Sequence, residues 1–274
     1  MKSFRNIADI RFSPDKSGES QILAKIPGLR DWGSQSDLQD YFKLSLGADS
    51  LKVTEELFPR EFKIYHEVVQ TLGLNKDKHE FYVSGENMRN AYIFSSKDNS
   101  QMVMSTELLS LLDDDELRFV IGHEFGHFLC KHSRIPTRLL AEHEEVDDEF
   151  KLDLLKWSRC AEISADRYGV LCCGKLDSSL SALFKVAFGM KPKSLSALRS
   201  SMRNQYNALS QLAKKRTDDS DLLSSRTHPI IPLRCVAVEV TFMDIQSFKT
   251  ANSWNKSAIS FIDRELLEII ENLI

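Results

Sequence analysis

Residues 119–129 read FVIGHEFGHFL and place three polar side chains in an otherwise apolar run. On an α-helix, positions four residues apart lie on the same face, so His123 and His127 can direct ring nitrogens to one metal ion. Glu124 lies roughly 100° around the helix from His123, where it can hold a water molecule beside that ion. The stretch therefore predicts a helix that carries half of a metal site.

The spacing H-E-x-x-H is typical of zinc peptidases, in which the glutamate is the general base. A catalytic zinc takes three protein ligands and leaves one position open. The metzincin motif would continue to a third histidine, and Ser133 stands where this histidine would fall. The third ligand must therefore come from another part of the chain.

A second predicted helix contains CAEISADRYG at residues 160–169. It offers Glu162 as the third ligand, and Asp166 one turn later can accept the other ring N–H of a metal-binding histidine. Three carboxylates of an acidic run are rival third ligands without a rigid partner: Glu142, Glu144 and Glu145.

The rest of the chain predicts an α+β fold that is mainly helical. Asp113 and Glu116 form a capping box that should start the active-site helix, which we expect to run to about residue 131. Strand-like runs predict a small antiparallel sheet beside that helix, at residues 80–84, 90–94 and 101–105. Helical spacing of apolar residues predicts further helices within residues 36–74, 150–172, 177–189, 194–213, 229–245 and 257–273.

The domain organisation follows from these segments. Residues 1–35 contain several prolines and glycines and predict irregular structure. We expect residues 1–75 to form a mostly helical N-terminal extension packed on a catalytic domain of residues 76–245. Residues 246–274 should form a C-terminal helix packed on the same domain.

Composition limits the classes of function. The 274 residues are 42% apolar, enough for a large core, and a net charge of −4 gives no reason to expect nucleic acid as a partner. No apolar run reaches the roughly 18 residues of a membrane span, and the start lacks a secretory signal. Five cysteines, an odd number, suit a reducing compartment. We expect a soluble, cytoplasmic protein.

Four stretches in order resemble the zinc metallopeptidases that include the heat-shock membrane protease HtpX and the CAAX prenyl endopeptidase, peptidase family forty-eight. They are MRNAYIF, the strand and helix around GHEFGHFLCKH, AEISADRYG, and RTHPIIPLRCVAV. The resemblance implies a gluzincin-like domain and an endopeptidase that acts on peptides or unfolded proteins. Family members typically carry transmembrane helices, and this chain has no such segment.

The resemblance also implies roles for single residues. One zinc ion per chain would be held by His123, His127 and Glu162. Asn90 and Ala91 would contact the substrate backbone from a strand at the edge of the cleft. His228 would stabilise the oxyanion of the tetrahedral intermediate. Arg234 would either pair with Asp166 or another site carboxylate, or lie on a solvated helix face.

Two other functions remain open from the sequence. The first is a proteolytically silent scaffold or chaperone-like protein that keeps the fold and the zinc, and the intact Glu124 argues against it. The second is a latent enzyme whose cleft is covered by residues 131–156 or by the first 35 residues.

Overall fold

A computed structural model describes residues 10–26, 44, 46–86, 89–96, 98–215 and 231–251, together with 263, 264, 266–268 and 270. The protein is mainly helical with a small four-stranded sheet, which confirms the predicted fold class. The described elements follow in this order: α1 (Ser13–Lys25), β1 (Ser50–Lys52), α2 (Pro59–Thr71), β2 (His79–Ser84), β3 (Ala91–Ser96), β4 (Asn99–Ser105), α3 (Thr106–Leu111), α4 (Asp114–Leu129), α5 (Thr137–Glu142), α6 (Asp148–Cys173), α7 (Leu176–Phe188), α8 (Leu195–Lys215) and α9 (Ile231–Ala251).

The sheet has the strand order β1-β2-β4-β3 and is mixed. β1 and β2 run antiparallel, as do β3 and β4, but β2 and β4 are parallel. The prediction of an antiparallel sheet is therefore wrong for the central pair. The chain passes from β2 to the far edge of the sheet before β4 returns beside β2, which leaves β4 in the buried centre.

The helix α4, which carries His123, Glu124 and His127, begins as predicted. The Asp113 carboxylate accepts hydrogen bonds from the backbone N–H groups of Asp115 and Glu116, and the Glu116 carboxylate accepts one from the N–H of Asp113. This capping box satisfies donors that the first helical turn would otherwise leave unbonded. The helix ends at Leu129, two residues early, because Lys131 adopts a left-handed backbone with φ of 59°.

Glycines allow α4 and α6 to cross at very short range. A Cβ atom on Gly126 would lie 2.8 Å from the Cα of Ala165, and one on Gly122 would lie 2.9 Å from the carbonyl oxygen of Tyr168. These contacts are shorter than any side chain tolerates. The two glycines therefore allow α4, which carries His123, Glu124 and His127, to lie against α6, which carries Glu162.

The N-terminal part differs most from the sequence prediction. Residues 13–25 form α1 instead of irregular structure, and residues 50–52 add the unpredicted strand β1. α1 has no continuous apolar stripe, so it is stabilised by docking on α6 through Ile22 and Trp157. The proposed domain boundaries stay a prediction. Parts of the predicted helices at 36–74 and 257–273 lie outside the described residues.

Within the described residues, no helix combines the length and the apolar character that a lipid bilayer span requires.

Candidate metal centre

Three potential metal-binding side chains meet where α4 crosses α6. The Nε2 atoms of His123 and His127 lie 3.2 Å apart. Glu162 faces both rings, with its Oε1 atom 3.4 Å from His127 Nε2 and its Oε2 atom 3.7 Å from His123 Nε2. Two imidazoles and a carboxylate thus converge on one point from two helices.

The spacing of these atoms fits a zinc ion. Nitrogen and oxygen ligands at about 2.0–2.1 Å from a tetrahedral zinc lie roughly 3.3–3.4 Å from each other. The observed separations of 3.2, 3.4 and 3.7 Å bracket that value. Two imidazoles with one carboxylate are also a ligand set of catalytic zinc sites, which leave a fourth position open.

His123 is oriented by a carboxylate on the neighbouring helix. Its Nδ1 atom lies 2.9 Å from Oδ1 of Asp166, which is almost completely buried. With the proton on Nδ1, the lone pair of Nε2 points towards His127 and Glu162. A carboxylate behind a metal-binding histidine fixes both the tautomer and the ring orientation.

Arg234 of α9 connects the two carboxylates of this site. Its guanidinium donates to Asp166 Oδ2 over 2.8 Å and to Oδ1 over 2.6 Å, and it lies 3.2 Å from Glu162 Oε2. Burial alone would raise the pKa values of both carboxyls, but the arginine charge lowers the pKa of Asp166 and of Glu162. Both carboxyls are therefore ionised at neutral pH, as metal binding requires.

His127 is oriented differently, through a third histidine. Its Nδ1 atom lies 2.8 Å from Nδ1 of His132, whose Nε2 atom lies 3.0 Å from Oδ2 of Asp15 on α1. Burial lowers the pKa of His132 to about 4, against the raising effect of Asp15. Neither His132 nor Asp15 was predicted to belong to the site, and the position of His132 five residues after His127 is the one sequence signal that could have indicated His132.

Glu124 is buried beside the two histidines and lines the same cleft. Burial raises its pKa, against the lowering effect of His123 and His127. A carboxyl with a raised pKa holds a proton more readily near neutral pH, which suits a group that takes and returns one.

The cleft has a volume of about 300 Å³. One wall is β3, the last strand in the sheet order, and the floor is α4. The 3₁₀ turn His132–Arg134 contacts β3, since the hydroxyl oxygens of Ser133 and Ser95 are 2.7 Å apart. The lining residues are Ala91, Tyr92, Ile93, Ser95, His123, Glu124, His127, His132, Ser133 and Glu162.

The other residues that the sequence predicted for the site differ in where the structure places them. Ala91 lines the cleft, whereas Asn90 is exposed just before β3 and is not in the lining. His228 lies outside the described residues. The rival third ligands Glu142, Glu144 and Glu145 are exposed and do not join the group of converging ligand atoms.

Comparison with known proteins supports a peptidase. Residues 60–142 match the model of peptidase family M48, a range that includes His123, Glu124 and His127. The match ends before Glu162 and covers less than half of the chain. No solved structure matches significantly.

Two curated relatives carry metallopeptidase names. The plastoglobule-localized metallopeptidase 48 of Arabidopsis thaliana chloroplasts is 28% identical over 195 residues, which are 66% of this chain and 56% of that protein. The uncharacterized metalloprotease YhfN of Bacillus subtilis is 41% identical over 46 residues, 17% of this chain and 11% of its own length. The chain thus spans less than two thirds of either relative. Over residues 60–142, it is similar to the metallopeptidases of family M48.

Proposed function

We propose that the chain is a zinc-dependent endopeptidase with one zinc ion held by His123, His127 and Glu162. The observation that carries the proposal is the meeting of two imidazole nitrogens and a carboxylate beside the buried Glu124. When bound, zinc would act as a Lewis acid that polarises the scissile carbonyl and lowers the pKa of water.

Glu124 supplies the proton transfer. Its carboxylate takes a proton from the attacking water and later delivers it to the nitrogen of the leaving amine. Asp166 and Arg234 keep His123 and Glu162 in place during this transfer through the contacts described above. His228 remains our candidate for stabilising the negative charge that develops on the carbonyl oxygen.

The substrate is proposed to be an extended peptide or an unfolded protein segment. It would lie along β3, where main-chain hydrogen bonds hold a chain with little regard to its sequence. Ala91 supports this placement because it lines the cleft at the start of β3. Asn90, one residue earlier, would contact the backbone at the rim. A chain held along a strand extends on both sides of the scissile bond, as endopeptidase cleavage requires.

The decisive experiment compares casein digestion by the purified protein, with and without a chelator, with digestion by Glu124→Gln. We expect the variant to retain one zinc ion per chain and to lose at least about 100-fold in turnover, because general acid–base catalysis contributes that much. Cleavage that is equally fast with the Glu124 variant or with chelator would contradict the proposal.

The metal ligands are tested by elemental analysis of Glu162→Ala, His123→Ala and His127→Ala. Each variant should be purified with far less than one zinc ion per chain. A Glu162→Ala protein with full zinc content would remove the third ligand from the proposal. Full zinc in the wild type without any cleavage would instead favour the proteolytically silent scaffold.

A cytoplasmic location and a closer relation to HtpX and the CAAX prenyl endopeptidase stay predictions. Localisation of a tagged full-length protein by fractionation would test the location.

A further inference from the structure

A chain of two hydrogen bonds runs from the N-terminal helix to the metal centre. Asp15 on α1 contacts Nε2 of His132, and Nδ1 of His132 contacts Nδ1 of His127. Asp15 and His132 are 117 residues apart in the sequence, and both side chains are buried. Solvent therefore does not replace these contacts.

The other neighbours of Asp15 determine where the protons lie. Its carboxylate accepts from the Arg11 guanidinium at 2.7 and 2.9 Å and from the indole N–H of Trp157 at 3.0 Å. The Ser164 hydroxyl donates to it over 2.6 Å. Arginine and tryptophan side chains can only donate, so they hold Asp15 as an ionised acceptor. The contact to His132 must then be a donation from the ring Nε2–H.

This order of protons continues to the metal centre. A neutral His132 with its proton on Nε2 presents a lone pair at Nδ1, which accepts the Nδ1–H of His127. The reverse tautomer of His127 would place two lone pairs 2.8 Å apart. The Nε2 lone pair of His127 therefore faces His123 Nε2 and Glu162 Oε1, where a cation would be bound.

We propose that Asp15 and His132 are positioning residues of the metal centre. Asp15 selects the tautomer of His132, and His132 in turn selects the tautomer and ring orientation of His127. The inference rests on the proposed function, since it takes His127 to be a zinc ligand. It makes α1 a functional part of the site, although no described residue of α1 lines the cleft.

α1 is seated on α6 by contacts that do not need the Asp15 charge. Phe12 is fully buried just before α1, and Ile22 packs in a cluster with Trp157. A Cβ atom on Gly18 would lie 3.0 Å from the Trp157 ring, so the two helices are in close contact. Isosteric changes at Asp15 can therefore alter the hydrogen bonds while α1 stays in place.

The first test compares two changes at His132. His132→Phe keeps a ring of similar size but removes both nitrogens, whereas the amide oxygen of His132→Asn can still accept the Nδ1–H of His127. Zinc affinity, measured by competition with a chromophoric chelator, should fall 10- to 100-fold in the Phe variant, as for other partners of metal ligands. The Asn variant should stay within about threefold of wild type.

The second test concerns Asp15. Asp15→Asn removes the charge that orders His132, and zinc affinity should fall about 10-fold. Ser164→Ala is the control, because it removes another hydrogen bond of the same carboxylate, and the one that Ser164 accepts from the N–H of Phe12, without touching either histidine. It should bind zinc as wild type does. If His132→Phe does not fold, the comparison of Asp15→Asn with Ser164→Ala decides the proposal alone.

Cobalt-substituted protein provides a readout that does not depend on proteolysis. The visible d–d absorption of cobalt reports ligand geometry and should change in His132→Phe and Asp15→Asn but not in Ser164→Ala. If His132→Phe and Asp15→Asn both show the zinc affinity and the cobalt spectrum of the wild type, the positioning role is overturned. This holds even if cleavage still depends on Glu124. Conversely, an absence of proteolysis with altered metal binding in these variants would remove the proposed function and leave the positioning role standing.

Discussion

The two histidines of the candidate metal centre are supported in different ways. His123 donates directly to Asp166, which pairs with Arg234. His127 donates to a neutral imidazole, and the negative charge of Asp15 lies one residue further away. The contacts of His123 place charged groups beside the proposed metal site. The contacts of His127 instead determine the position of a proton and bring little charge close to that site. We expect loss of the first to affect both stability and metal binding, and loss of the second to affect mainly metal binding.

The largest effect is expected from Asp166→Ala. It leaves the buried Arg234 without its main partner, which should lower the free energy of unfolding of the zinc-free protein by about 3–5 kcal/mol. Zinc affinity should fall 10- to 100-fold as well. Urea unfolding in chelator and zinc competition measure the two effects.

Asp263→Ala is the matched control for that variant. Asp263 is equally buried and pairs with the buried Arg167 over 2.6 Å. Its loss should cost a similar amount of stability but weaken zinc binding much less, because Asp263 lies apart from the metal ligands and contacts α1 at the N–H of Ser13. A fall in zinc affinity as large as that of Asp166→Ala would show that global destabilisation, not His123 orientation, controls metal binding.

Gly126→Ala should disturb both supports together, because its new methyl group would push α4 away from α6 at Ala165. We expect a loss of about 2–3 kcal/mol in unfolding free energy, as for overpacked cores, together with weaker zinc binding. Gly85→Ala, where a Cβ meets nothing within 4 Å, should be neutral in both assays. Unchanged zinc affinity in Gly126→Ala would mean that helix spacing does not set the ligand geometry.

The acid dependence of stability reports on Asp15 together with its neighbour His132, whose pKa of about 4 lies in the same range. Burial would raise its pKa, but hydrogen bonds from Arg11 and His132 lower it well below 3.8. The ionised form therefore stabilises the fold fully above that value, and the contribution is lost as the pH falls towards the folded pKa. Asp15→Asn should be about 1–2 kcal/mol less stable than wild type at pH 7.

The difference between wild type and Asp15→Asn should shrink when urea unfolding in chelator is repeated between about pH 4 and pH 3. The difference for Ser164→Ala should stay constant over the same range, since a serine does not titrate. A constant difference for Asp15→Asn would mean that the pair of Asp15 and His132 gains no stabilisation that depends on the Asp15 charge.

The smallest effect is expected in the acidic run at the end of α5, away from the residues that orient His123 and His127. Glu142 is exposed and pairs with the exposed Arg138 one turn earlier on that helix. The combined change Glu142→Ala, Glu144→Ala and Glu145→Ala should alter stability by less than about 0.5 kcal/mol and leave zinc binding intact. Loss of zinc would indicate that one of these three residues, and not Glu162, is the third ligand.

The residues that orient His123 could be predicted from the sequence because the patterns that identify them span only a few residues. Glu162 and Asp166 lie four residues apart on one helix, and Asp113 with Glu116 determines where α4 begins. These patterns need no knowledge of the tertiary fold. The bounds of α6 and α7 were predicted to within a few residues for the same reason.

Asp15 and His132, which orient His127, could not be predicted in this way. Asp15 lies on a helix with no apolar periodicity, and its partners Trp157 and Ser164 are far away in sequence. The parallel pairing of β2 with β4 was missed for a similar reason, since strand order is decided by the path of the chain and not by the strands themselves. Pairings of this kind depend on which surfaces meet after folding.

The metal centre draws its parts from nearly the whole length of the chain, from Asp15 to Arg234. Contacts between such distant residues form late, because each closes a long loop before it gains stability. During synthesis, His123 and His127 would leave the ribosome well before Arg234, so a nascent chain would hold the proposed metal ligands without their complete surroundings. Tight zinc capture should therefore be one of the last events in the maturation of this protein.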